Sequence, residues 1–396
     1  MKYPENEPEI RLGKIKREME KRGFDALIIY SCQWKVEFLH YVANFRVLGK
    51  DACVVLPLDG EPTMYLSQAW DERRAHEDSW IKNIIAPRDG IMKPAGEQAA
   101  KYGNSIGLVG AELMPRHHRA ALNKALRGRK PVNAFDLLDG VAKVKTEWEV
   151  EILRECASFA DIGFISEVNC LYEGISECDV VAELDFAMKS AGADDNFQMI
   201  GMGTQLPSMN LPTDRTLKIG DLVLTEITPM KGCLTYATQL CKTVKFGSAT
   251  EVEKEKYQLL CDALNYALSQ TKAGVPARKL SNWQNEIIGN AGYAKYCVPP
   301  YMRSRGHNFG LGLVDITDTT ELILEENMVF VVHPNQMIPE IGYLACGETV
   351  LVTKDGVERL SRIPMSLIEV LPRFQATSEN LGIKACDRDK SGVYKT

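Results

Sequence analysis

Helix-like and strand-like segments alternate from Arg11 to about Val144, and this alternation narrows the available folds more than any other feature of the chain. An amphipathic stretch from Ile15 to Arg22 stops at Gly23; the apolar runs Ala26-Leu27-Ile28-Ile29-Tyr30 and Ala52-Cys53-Val54-Val55-Leu56 follow. Apolar residues three and four apart form one stripe of a helix, whereas short unbroken apolar runs suit strands covered on both faces. Further strand signals lie at Pro62–Leu66, Ile81–Ile85 and Ser105–Val109, with a helix expected between His117 and Leu126. Helices layered on a sheet bury all of these faces together, so residues 1–144 are read as one smaller α/β domain.

A charged stretch, Lys143-Val144-Lys145-Thr146-Glu147-Trp148-Glu149, then opens a helix in which Trp148, Ile152, Cys156 and Phe159 recur at spacings of four and three. Thr146 is suited to cap it, with acidic residues in the first turn. A domain boundary is therefore expected at about residue 145. Beyond it, helices are expected at Glu177–Ser190, Glu251 to about Thr271 and Leu280–Asn290, and strands at Leu222–Ile227, Thr243–Phe246, Met328–Val332 and Glu348–Val352. They interleave without a regular βαβ period, so residues 145–373 are read as α+β, and 374–396 as a polar C-terminal tail held loosely at the surface.

Charge and cysteine usage exclude whole classes of function. With 47 Lys and Arg against 53 Asp and Glu, the net charge of -6 leaves no cationic excess to grip a nucleic-acid backbone. No apolar run approaches ~18 residues and the segment Met1–Arg11 is polar, so neither a membrane span nor a secretory leader is expected and the chain reads as cytoplasmic. The 11 cysteines include no C-x-x-C pair, which argues against a thiolate zinc site or a disulfide framework.

Four blocks hold most of the unusual polar residues of the second half: Leu217–Glu226, Tyr236–Thr243, Arg305–Gly312, and His333-Pro334-Asn335 with Gly347-Glu348-Thr349. Glu226 and His333 each close or interrupt a strand that otherwise reads as buried, which is costly unless the polar group has partners. Together with His307 they form the candidate catalytic set.

These blocks resemble those of the pita-bread fold superfamily, which contains aminopeptidase P, prolidase, methionine aminopeptidase and creatinase. Its pattern is a G-D-L-V-L-x-D strand, a D-x-T-R-T strand, a G-H-G-x-G turn, E-P after an apolar strand, and E-D-T-V-L-V-T. The corresponding runs here are Gly220–Glu226, Gln239-Leu240-Cys241-Lys242-Thr243, Gly306-His307-Asn308-Phe309-Gly310, His333-Pro334 and Gly347–Thr353. The resemblance implies a C-terminal pita-bread catalytic domain preceded by a smaller creatinase-type α/β domain. Metallo-members hold two divalent ions with two Asp, one His and two Glu; on those positions stand Glu226, Gln239, His307, His333 and Gly347, and two further family histidines fall on Met209 and Val314.

Creatinase cleaves a C–N bond on this fold without metal, and Glu226-Ile227-Thr228-Pro229-Met230 is similar to its strand, although its catalytic His falls on Met209. The expectation from sequence is therefore a creatinase-like, metal-independent hydrolase with no cofactor and no peptidase activity, cleaving an amide, lactam, cyclic imide or amidine of a small polar molecule. His307 and His333 would act as acid and base and Glu226 as orienter, base or nucleophile. Gln239, Glu348, Tyr236, Lys242 and Arg305 are read as substrate-binding. The likeness to creatinase further implies a homodimer in which the segment Asn44–Lys50 reaches the partner's pocket, with Lys50 on a substrate-binding position. Two alternatives stand beside this reading. One is a mononuclear enzyme (hydrolase, lyase or decarboxylase) holding Fe, Mn or Zn with Glu226, His307 and His333; the other is a non-catalytic binding module.

Overall fold

In this computed structural model the described residues are 2–232 and 235–372; the tail expected at 374–396 lies outside them. The first half alternates as the sequence suggests: α1 (Glu7–Arg22), β1 (Ala26–Cys32), α2 (Glu37–Ala43), β2 (Asp51–Pro57), β3 (Thr63–Leu66), α3 (Glu72–Asp78), β4 (Asn83–Ile85), α4 (Met92–Tyr102), β5 (Ile106–Val109), α5 (Arg116–Ala125), β6 (Val132–Asn133) and α6 (Phe135–Lys143). The strands order β4-β3-β2-β1-β5-β6, with β1 antiparallel to β2 and parallel to β5. Side chains alternate along β1, so Leu27 and Ile29 join Ile15 and Met19 of α1 on one face, while Ala26, Ile28 and Tyr30 join Ala95, Ala99 and Leu122 of α4 and α5 on the other. Covering both faces explains the unbroken apolar run. Gly23 ends α1 in the left-handed conformation at φ 69°, where a side chain would be strained.

The second half begins with α7 (Glu147–Cys170). Thr146 and Glu149 cap it reciprocally: Glu149 N donates to Thr146 Oγ1 at 3.2 Å and Thr146 N to Glu149 Oε2 at 2.9 Å. There follow α8 (Glu177–Ala191), β7 (Asp195–Gly203), β8 (Leu222–Lys231), β9 (Tyr236–Ala237), β10 (Leu240–Phe246), α9 (Glu251–Gln270), α10 (Arg278–Ile288), β11 (Gly306–His307), β12 (Val329–Val332), β13 (Gln336–Ile338), β14 (Gly342–Leu344), β15 (Gly347–Val352), β16 (Val357–Arg359) and β17 (Ile368–Val370). The main sheet runs β11-β12-β15-β10-β8-β7, antiparallel at every step. Phe164 of α7 and Leu184 of α8 share a core with Val223, Ile227 and Val244, whereas Leu260 of α9 and Leu280 of α10 share another with Phe330, Val332 and Val350. The result is the α+β architecture expected.

The halves are joined by a buried cation. Arg11 is fully buried and donates to Glu7 Oε1 at 2.6 Å and to the Tyr236 hydroxyl at 2.9 Å, with Glu149 Oε1 at 3.6 Å. Its guanidinium also lies over the rings of Tyr41, Trp80 and Trp148. These neighbours satisfy a charge that burial alone would make very costly.

Candidate functional site

Sheet register assembles the site. Cys241 is paired with Glu226 on one side and with Gly347 on the other, and Val332, the residue before His333, is paired with Gly306, the residue before His307. Five neighbouring strands thus present Glu226, Cys241, Gly347 and His333 in one row, with Gln239 and His307 each two residues off it on the same face. Along β8, Leu222 and Leu224 are buried with Leu206, Met209, Ile338 and Leu344, and the two-residue period puts Glu226 on that face.

The Glu226 carboxyl is held rather than free. Asn335 Nδ2 donates to Oε1 at 3.0 Å, Gln239 Nε2 approaches Oε2 at 3.5 Å, and the Cys241 thiol lies 3.7 Å from Oε1. Burial raises its pKa, opposed by the bonds from Asn335 and Cys241. Asn335 is itself fixed at both ends: its Oδ1 accepts from Cys346 N at 2.8 Å and its carbonyl accepts from Arg305 at 2.9 Å.

The rings of His307 and His333 lie 5.4 Å apart. His307 Nδ1 is 3.3 Å from the Asn308 carbonyl, a contact that needs the proton on Nδ1 and leaves Nε2 as the basic nitrogen. His333 Nδ1 is buried without a partner. Burial pushes the His333 pKa down to about 3, with His307 adding to the effect, and burial also lowers that of His307, so both imidazoles are neutral near pH 7. Among the described residues, no three His, Cys, Asp or Glu side chains gather closely enough to hold an ion.

Of the residues singled out from sequence, Glu226, Gln239, His307 and His333 are brought together, and the other five are not. Arg305 is buried and fully engaged with Asn285 Oδ1 at 2.7 Å, the Asn335 carbonyl and Gln336 Oε1 at 2.7 Å, so it braces the segment after His333 instead of facing a substrate. Tyr236 belongs to the Arg11–Glu149 junction. Lys242 donates to the Pro364 carbonyl at 2.7 Å, and Glu348 is ion-paired with Arg359 and pushed up to about 7 by burial. Lys50 is exposed at the start of β2, in the first half. For Arg305, Lys242 and Glu348, charge matching pointed to a substrate because a charged side chain on a strand reads the same whether it faces a pocket or an internal partner. Asn335 and Cys241 were missed; their only sequence signal is that each lies two residues from a polar member of the site, His333 and Gln239.

Comparison with known proteins adds what geometry leaves open. Metallopeptidase family M24 matches residues 151–354, and the creatinase/prolidase N-terminal domain matches 11–141. The chain is similar to the Xaa-Pro dipeptidase of Pyrococcus furiosus, 29% identical over 371 residues, covering 90% of this chain and 99% of that one. It is also similar to the uncharacterized peptidase YqhT of Bacillus subtilis, 30% identical over 369 residues, covering 91% and 99%. The fold matches the prolidase of Pyrococcus horikoshii OT3 with a TM-score of 0.78 at 24% identity, covering 91% of this chain and all of that one.

These likenesses overturn the main functional expectation. The relatives are dipeptidases and peptidases by name, against a hydrolase confined to non-peptide C–N bonds. The family is one of metallopeptidases, against a metal-independent reaction with no cofactor, and relatives matched over nine-tenths of the chain are named Xaa-Pro dipeptidases, against a creatinase-like character. Changes at five ligand positions do not outweigh an architecture shared over 371 residues. Of the sequence alternatives, a hydrolase that uses a divalent metal stands nearer. With both halves matched in order over nine-tenths of its length, the chain belongs to metallopeptidase family M24.

Proposed function

We propose that this chain hydrolyses short peptides, with Xaa-Pro dipeptides as the first substrates to try, at the group formed by Glu226, His307 and His333. The observation that carries the reading is the register of five strands, which supports it by bringing these side chains and Gln239 to one face of the sheet. The dipeptidase names of full-length relatives support the substrate class.

The residues do not fit a pair of ions. Gln239 is neutral, Gly347 has no side chain, and a Cβ on Gly347 would stand 2.7 Å from both His333 Cα and the Val332 carbonyl, so no ligand side chain has room there. For a single divalent cation the donor types fit, two neutral imidazoles, one of them with a buried, unpartnered nitrogen, and one carboxylate, although as they stand the three are too far apart to share an ion. Glu226 would have to leave Asn335 to join them. Such an ion, when bound, polarises a peptide carbonyl and makes water more acidic. The chain's own contribution is the fixed tautomer of His307, which presents Nε2 as a base, and the amide of Gln239, which can donate to or accept from a peptide group.

The protein is further read as a homodimer that uses the edge carrying Lys50, where Trp34 is 86% exposed and Leu48 is exposed beside it. Sedimentation tests that part.

Purified protein incubated with a panel of Xaa-Pro and other dipeptides, with Mn²⁺, Zn²⁺ or Fe²⁺ and after chelation, tests the activity by release of free amino acids. Release dependent on a cation bound at about one per chain, and cut about 10²–10⁴-fold in Glu226→Gln and His307→Ala, is the expected outcome. No release with any cation, or full activity in both variants, would overturn the reading.

A further inference from the structure

Outside the row of Glu226, α5 and the loop that follows it concentrate positive charge. Residues 116–130 contain Arg116, Arg119, Lys124, Arg127, Arg129 and Lys130 and no acidic residue, in a chain whose net charge is -6. Elsewhere, surface cations such as Arg22, Arg74 and Arg154 are tied to carboxylates. Among the described residues none of these six has such a partner. Arg129 spends Nε on Asn104 Oδ1 at 2.9 Å and Nη1 on the Leu126 carbonyl, and Arg119 Nη1 is buried with no partner at all. Arg119 lines the notch beside α5, and its unpaired guanidinium nitrogen, shielded from water as it stands, would turn outward to meet an anion there.

Backbone geometry turns this charge into a concavity. Arg119 and Asn123 lie one helical turn apart on the same face of α5. Arg127 and Gly128 both take left-handed conformations, φ 51° and 91°, folding the loop back so that Gly128, Arg129, Lys130 and Pro131 close a notch of about 440 Å³ against that face. A Cβ on Gly128 would meet nothing within 4 Å, so the backbone there is open. The space exceeds what a bare ion needs and suits an anionic group carrying a small organic substituent.

We propose that this notch binds a phosphate-bearing ligand gripped by Arg119, Arg129 and Lys130. A phosphate dianion draws on several cations at once and matches the planar forks of arginine, whereas a lone carboxylate would leave most of this charge unmet. A soluble compound and a lipid headgroup present the same phosphate chemistry, and a soluble and a vesicle probe distinguish them. The site is separate from the catalytic row, so it stands or falls independently of the peptidase reading.

The test uses the full chain, with inorganic pyrophosphate as the soluble probe in calorimetry at physiological ionic strength and phosphatidylcholine vesicles with and without phosphatidic acid in sedimentation. The variant Arg119→Gln with Lys130→Gln removes two side chains that make no hydrogen bond in the structure, so its thermal midpoint reports whether folding is intact; Arg17→Gln on α1 is the control. Saturable binding of pyrophosphate, or retention on the phosphatidic acid vesicles alone, weakened about tenfold or more in the double variant and unchanged in the control, is expected. Whichever probe gives that pattern names the source of the phosphate. Equal binding by wild type and double variant, or no saturable binding to either probe up to millimolar pyrophosphate, would overturn the proposal.

Discussion

Gly347 and His333 occupy one another's space. A Cβ added to Gly347 would come 2.7 Å from His333 Cα and from the Val332 carbonyl and nearer still to His333 Cβ, so the neighbouring strand itself fills the volume that a side chain at 347 would need. The close approach of that strand, whatever side chain stands at 333, leaves no room for a ligand at 347. Gly347→Glu is therefore expected to fail as a restoration of a second ion site. It should lower the midpoint of denaturant unfolding by an amount equivalent to about 1–3 kcal/mol or more, the usual cost of overpacking, without raising metal stoichiometry. A folded variant that binds two ions would refute this account.

Asn335 ties the Glu226 carboxyl to the turn at Cys346 and, through its carbonyl, to buried Arg305. Removing its side chain takes this partner from two groups, the Glu226 carboxyl and Cys346 N, while the backbone carbonyl keeps its bond from Arg305. Asn335→Ala should lose about 1–3 kcal/mol of stability and most of any turnover. Asn335→Asp retains the acceptor for Cys346 N but sets a second carboxyl against Glu226, so its activity should fall further as pH rises. A pH–rate profile parallel to wild type would count against that arrangement.

On the opposite face of β8, Glu167 is wholly buried, accepts one bond from Thr225 Oγ1 at 2.9 Å, and leaves its Oε1 unpartnered. Burial raises its pKa to about 8. Because the folded value lies above the unfolded one, the stabilisation is complete below about pH 4.5 and is lost as pH rises towards 8. Glu167→Gln removes this dependence. Its unfolding free energy relative to wild type should increase between pH 6 and about 9, and a difference that stays flat over that range would show that the carboxyl is solvated.

Much of the architecture was legible because it rests on local rules. The Thr146 cap, the apolar runs of β1 and β2, and the helices at Glu177 and Glu251 each announce themselves through periodicity or capping chemistry. β7 escaped because an outer strand of the sheet, Asp195–Gly203, is only partly buried and carries polar residues where a covered strand would be apolar. That Glu226, His307 and His333 would need partners was legible, since a carboxylate or imidazole closing an apolar strand demands explanation, and the sheet brings them to one face with Gln239. The bracing roles of Arg305, Lys242 and Glu348 were not, because they depend on partners 31, 122 and 11 residues away, Gln336, Pro364 and Arg359, whose proximity exists only after folding. A match spread over the whole chain weighed more for function than the five ligand positions.

The turn after His307 is anchored by the first half of the molecule. Leu311 is 5% exposed and belongs to the core containing Phe38, Leu137 and Leu138, while Gly312 N donates to Asp139 Oδ1 at 2.8 Å on α6. Asn308 Oδ1 accepts from Val314 N at 2.6 Å and closes the same loop. The position of the His307 ring therefore depends on contacts made across the two halves. Leu311→Ala should cost about 2–5 kcal/mol and reduce turnover even where the protein remains fully folded, because the cavity it opens lies beneath the catalytic turn. Leu137→Ala, a comparable truncation within the same core but outside that loop, should cost similar stability and leave turnover of the folded fraction intact. Unfolding curves paired with kcat for both variants separate the two effects, and equal kcat in the two would mean that the loop holds His307 without help from the first half.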